Sequence, residues 1–233
     1  MIRQKRVIAI ALAALMLTAA LAACSPGNAP DVTTPATNTP DTPDAAASET
    51  DPVTEPPICG EETTTQPTEV KTLKILAIGN SFSTDCMQYL YDIARSGGVE
   101  EIVLGNLYYG GCSLAQHLGF AKSDSPSYTY YKNTSGKWES TKSYKMSAAI
   151  ADEKWDYISF QQTSKTCGLA STYGKTLTEL LDIVEAKAPD AKFIWNMTWA
   201  YQQDSTHSSF PNYDRSQQKM YDMIIDCMHQ CIE

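Results

Sequence analysis

The 233-residue chain carries 18 basic and 27 acidic side chains, a formal net charge of −9 at pH 7. That balance leaves no basic patch, which excludes a nucleic-acid-binding surface. The acidity is also uneven: residues 25–70 hold nine acids and no Lys or Arg, so residues 71–233, with fifteen basic and eighteen acidic residues, stand near neutral at −3.

In chain order, Arg3, Lys5 and Arg6 precede an unbroken apolar and small-residue stretch over 7–23. A run this short with basic residues on one side only predicts a secretory signal rather than a membrane span. Its ending, Leu21-Ala22-Ala23-Cys24, resembles a bacterial lipobox. That implies cleavage before Cys24, diacylglycerol on its sulfur, and an extracytoplasmic protein held to the cell membrane by lipid.

Residues 24–70 read as a tether. Between 25 and 70 lie nine of the twelve prolines and eleven threonines. Such a composition buries too little apolar surface to offset chain entropy, so the segment is expected to be disordered. Residues 71–233 are one domain's worth of chain, enough for a real core.

That domain begins with an apolar run over 73–78, which predicts a strand buried on both faces. The run stops at Gly79-Asn80-Ser81, where a small residue permits a sharp turn and a hydroxyl stands at the strand's carboxyl end. Ligands in open parallel sheets bind outside those ends, which makes Ser81 a candidate nucleophile. The same three residues also spell an ordinary turn closed by an N-cap serine. A helical pattern follows through Met87, Leu90, Tyr91 and Ala94, and a second strand is expected over 101–108, running into Tyr109-Gly110-Gly111-Cys112-Ser113. A short helix at 114–121 carries His117. Tyr128, Tyr130, Tyr131, Trp138 and Tyr144 flank an Asn133-Thr134-Ser135-Gly136 turn, so 127–145 reads as an inserted β-hairpin projecting from the loop edge. After a short helix at 146–153, a third strand at 155–160 ends in Gln161-Gln162-Thr163-Ser164. Leu177, Leu180, Leu181, Val184 and Ala188 mark an amphipathic helix, and a fourth strand at 192–197 ends in Thr198-Trp199-Ala200-Tyr201. The last helix is expected over 213–231.

Strands alternating with helices predict an α/β fold, a three-layer α/β/α sandwich with a mainly parallel sheet. The polar loops after the strands then gather on one sheet edge, bringing Ser81, Gly110-Gly111, Gln161-Gln162 and the 198–207 segment together.

Over residues 72–233 the chain resembles the SGNH (GDSL-like) hydrolases, most closely a bacterial lipoprotein branch of unknown function. The resemblance implies a flavodoxin-like sheet and a serine esterase. It makes Ser81 the nucleophile, with Asn80 where the family has Asp. It gives the oxyanion hole to the Ser81 and Gly111 N–H groups, with Gly110 as the alternative to Gly111. Gln161 becomes the third donor, because Gln161-Gln162-Thr163-Ser164 stands where the family has Gly-x-Asn-Asp. The family's Asp-x-x-His follows a fifth strand, and the chain reaches Glu233 before one; the resemblance therefore implies a domain truncated at its C-terminus and inactive as 233 residues. Asp204-Ser205-Thr206-His207 has the right spelling but comes one strand early, and is read as a decoy at the cleft rim. His117 is expected to be a packed residue or to contact substrate at the rim, and Gln162 to contact substrate or line the rim.

No cofactor or metal motif is present. Cys227, His229 and Cys231 fail as ligands, because the histidine lies about 160–200° around the helix from both cysteines. Two functions remain: a surface-tethered esterase acting on acylated glycans or small esters, with the aromatic hairpin stacking on sugars, and a non-catalytic binding module on the same fold.

Overall fold

A computed structural model describes residues 71–233; the expected signal peptide, Cys24 and the expected tether lie outside the described residues. The central strand β1 (Thr72–Gly79) pairs in parallel with β2 (Glu101–Tyr108) on one side and β5 (Tyr157–Phe160) on the other. Its residues Leu76, Ala77 and Ile78 are all at most 1% exposed, as a strand covered on both faces requires. β6 (Lys192–Trp195) lies parallel to β5 and forms one edge of the sheet.

Helices cover both faces. α1 (Ser81–Met87) and α2 (Leu90–Ser96) pack Met87, Leu90 and Ala94 against Ile75, Ala77, Ile102 and Leu104. The other face buries Leu76, Ile78, Val103, Leu107, Ile158 and Phe160 beneath α3 (Leu114–Ser123), α4 (Met146–Ala151), α5 (Gly174–Glu185) and α6 (Gln217–Cys231). The fold is the expected three-layer α/β/α sandwich.

The hairpin differs from its expected placement. β3 (Tyr128–Asn133) and β4 (Trp138–Tyr144) do not project from the loop edge; they continue the sheet, in the order β4-β3-β2-β1-β5-β6. β3 runs antiparallel to β2, with Leu104 opposite Asn133 and Tyr108 opposite Thr129. The physical reason is its alternation, which sends Tyr128 and Tyr130 into the main core at 1% and 4% exposure while the strand covers an otherwise bare edge of β2. Two helices also differ. The first breaks at Gln88-Tyr89 into α1 and α2. The last starts at Gln217, capped by the Ser216 side chain, because Phe210–Tyr213 forms a 3₁₀ turn ahead of it.

Without the hairpin, the parallel strands stand in the order β2-β1-β5-β6. This is the flavodoxin-like arrangement, whose switch point lies between the first strand and the third parallel strand, here β1 and β5. The crevice at that point opens where Ser81 follows β1.

Candidate active site

Three features fix the turn after β1. At Gly79 a Cβ would stand 2.7 Å from the Ser83 hydroxyl and 3.0 Å from the Gln161 side chain, so only glycine lets α1 approach so closely. Asn80 is the N-cap of α1: its Oδ1 accepts from the Phe82 N–H at 3.1 Å. The Ser83 hydroxyl donates to the Asn106 side chain of β2 at 2.8 Å, holding the first turn down.

The cap is therefore Asn80 and not Ser81. Ser81 is the first residue of α1, exposed, and its hydroxyl makes no hydrogen bond among the described residues. Asn80 reaches further. Its Nδ2 donates to the Cys112 carbonyl at 2.9 Å, and Tyr109 N–H donates to the Gly79 carbonyl at 3.1 Å. These bonds lock the glycine loop beside the serine turn. In that loop Gly111 is exposed at φ +63°, a left-handed conformation suited to glycine. Among the described residues, the N–H groups of Ser81, Gly110 and Gly111 donate to nothing.

Gln161 is placed otherwise than an oxyanion donor needs. It is 1% exposed, its Nε2 donates to Asn80 Oδ1 at 2.5 Å and its Oε1 accepts from Asn196 at 2.8 Å. Its oxygen and one of its two N–H groups thus link Asn196 to Asn80. Gln162 is likewise buried rather than at the rim: Oε1 accepts from the Leu114 N–H at 3.0 Å and Nε2 donates to Thr172. It splices the end of β5 to the start of α3.

None of the histidines among the described residues is hydrogen-bonded to Ser81. His117 is a core residue, 1% exposed, stacked on Tyr128 with its Nδ1 2.9 Å from the Tyr128 hydroxyl and its buried Nε2 without a partner. Burial pulls its pKa down to about 3. His207 stacks on Tyr201 at 4.6 Å, and its Nδ1 accepts from the Ser209 N–H at 3.1 Å. It is hydrogen-bonded neither to Ser81 nor to Asp204. His229 pairs with Glu233 at 2.6 Å on the exposed side of α6. Cys86, Cys112, Cys167, Cys227 and Cys231 are free thiols, and burial raises Cys112 to about 12.

A cleft of about 750 Å³ opens beside Ser81, walled also by Phe82, Ser164, Gln217 and most of segment 199–206. Sequence reasoning missed Asn106, Asn196, Ser83 and Trp199. The available signal was a polar side chain at the carboxyl end of an otherwise apolar strand, as at Asn106 and Asn196.

Residues 74–232 match the model of a family described as a domain of unknown function, DUF4886. The structure of a DUF4886 family protein from Bacteroides uniformis is similar, at 38% identity and a TM-score of 0.66, over 68% of this chain and 62% of that one. The match thus spans less than two thirds of that protein's length. A protein from Slackia heliotrinireducens described as a candidate SGNH hydrolase aligns at 21% identity and a TM-score of 0.43, over 68% of this chain and 73% of that one. A search of curated proteins returns no match.

Proposed function

The chain belongs to the DUF4886 family, a family without an assigned activity, and from the geometry around Ser81 we propose that it is a serine ester hydrolase of the SGNH type acting on acylated glycans or small esters. The observation that carries this reading is an exposed, unbonded Ser81 hydroxyl at the sheet's switch point, with the unpaired N–H groups of Ser81 and Gly111 held beside it by the Asn80–Cys112 hydrogen bond.

In the proposed reaction the Ser81 oxygen attacks the ester carbonyl while a base takes its proton. The carbonyl oxygen becomes an oxyanion and accepts from the Ser81 and Gly111 N–H groups, fixed donors each worth roughly 3 kcal/mol in such sites. Collapse expels the alcohol, which takes up the proton, and water then releases the acid from the acyl-serine. Asn80 and Gln161 position the two halves of the oxyanion hole. Cys24, through its lipid, holds the enzyme at the outer face of the membrane.

The base is the open position. No imidazole among the described residues is hydrogen-bonded to Ser81, and that observation favours the second reading, a binding module that keeps the fold and cleft. Hydrolysis of a short-chain aryl ester, assayed with and without added imidazole as a surrogate base, separates the two. Turnover that disappears in Ser81→Ala at an unchanged melting temperature supports the esterase. Equal rates in both proteins support the module.

A further inference from the structure

One wall of the cleft is unlike the rest. Trp199 is 51% exposed, although indoles are on average well buried. Its ring meets Phe82 edge-to-face at 4.2 Å and 84°. Phe82, only 8% exposed and next to Ser81 in the chain, anchors the indole in place. Four other lining residues, Gln202, Asp204, Thr206 and Gln217, are exposed, and their side chains make no hydrogen bond among the described residues. Among the described residues, no Lys, Arg or His lines the cleft, and its volume of about 750 Å³ falls within the roughly 300–1,000 Å³ of small-molecule sites.

We propose that this cleft is a saccharide subsite with Trp199 as its stacking platform, so that the acyl group cleaved at Ser81 is carried by a neutral sugar; the second clause rests on the esterase reading. A pyranose ring has an apolar C–H face and a rim of hydroxyls. An indole matches the face, while carboxamides, a hydroxyl and a carboxylate match the rim. A fatty acyl chain seated here would cover those polar groups without replacing their bonds to water. A uronate or phosphate would meet the Asp204 carboxylate with no cation in the lining to offset it. The stacking surface is therefore assigned to the loop after β6, and not to the hairpin, none of whose aromatic residues lines this cleft.

Isothermal titration calorimetry on the whole chain tests the proposal, with xylohexaose and cellohexaose as neutral probes and hexagalacturonate as the anionic one. At least one neutral hexasaccharide is expected to bind, with affinity falling roughly tenfold or more in Trp199→Ala, as for truncation of an aromatic anchor. Asp204→Asn, on an exposed loop, is the second variant; it should weaken the neutral ligand several-fold and improve binding of hexagalacturonate. Binding of neither neutral probe, unchanged affinity in both loop variants, or hexagalacturonate binding as tightly as the best neutral probe overturns the proposal. Intact sugar binding with no Ser81-dependent ester turnover even in added imidazole instead removes the esterase reading and leaves the saccharide subsite standing.

Discussion

The Asn80 side chain donates to the Cys112 carbonyl at 2.9 Å, tying the turn that presents Ser81 to the loop that presents Gly111. The same side chain accepts from Phe82 and Gln161, so one buried carboxamide serves as helix cap, loop clamp and network hub. A carboxylate cannot fill this place, because it has no hydrogen for Cys112.

Asn80→Asp should therefore be less stable by about 1–3 kcal/mol at neutral pH, the cost of an unmatched buried polar group. Burial raises the folded-state pKa of the introduced carboxyl above its unfolded value of about 3.9. The folded state then binds more protons than the unfolded state, so stability falls as pH rises from about 4 through the raised pKa. Urea midpoints across pH 4 to 8 check this; a deficit that does not change with pH counts against it.

Gly79→Ala should disturb the site through its packing. The new methyl meets Ser83 at 2.7 Å and Gln161 at 3.0 Å, so α1 or the Gln161 carboxamide has to move. A loss of about 1–3 kcal/mol is expected, together with loss of any Ser81-dependent turnover. Unchanged thermal stability would show that the close approach is not needed.

His117 sets an acid limit on the domain. Its folded pKa, about 3, lies below the ordinary 6.5 because burial disfavours the charged ring. The unfolded state takes up the proton first, so this residue lowers stability as pH drops below 6.5, by on the order of 2–3 kcal/mol at pH 4.5. His117→Phe should cost about 1 kcal/mol at pH 7 by removing the Tyr128 hydrogen bond, yet show a flatter decline on acidification. Parallel acid limbs in the two proteins would count against a buried neutral imidazole.

The four parallel strands were legible because each is a short apolar run ended by polar or small residues, which is a local signal. The hairpin was legible as a hairpin but not in its destination. The alternation at Tyr128 and Tyr130 says that one face is buried, whereas pairing with β2 depends on a free edge 20 residues or more away. The same limit applies at the site. Asn80 and Gln161 were each visible as polar residues after a strand, but a hydrogen bond across 81 residues leaves no trace in spacing. His117 follows the glycine loop in sequence, which left a packed and a substrate-contacting role both open; the hairpin's Tyr128 closes over it and makes it a core residue.

The proposed lipid on Cys24 has a consequence for location. Cys24→Ser in the expressing bacterium should move the protein from the membrane fraction to the soluble extracytoplasmic fraction, and metabolic labelling with a palmitate analogue should be lost with it. Retention in the membrane without label would point to another anchor.

The most direct measurement is p-nitrophenyl acetate hydrolysis by the purified 233-residue chain, titrated with imidazole and set beside Ser81→Ala and His207→Ala. Without imidazole no turnover above buffer is expected. With it, a saturable increment should arise that vanishes in Ser81→Ala, persists in His207→Ala, and leaves acetate on Ser81 detectable by mass spectrometry when the reaction is quenched. Identical rates in the parent and Ser81→Ala at every imidazole concentration would contradict the assignment of Ser81 as nucleophile.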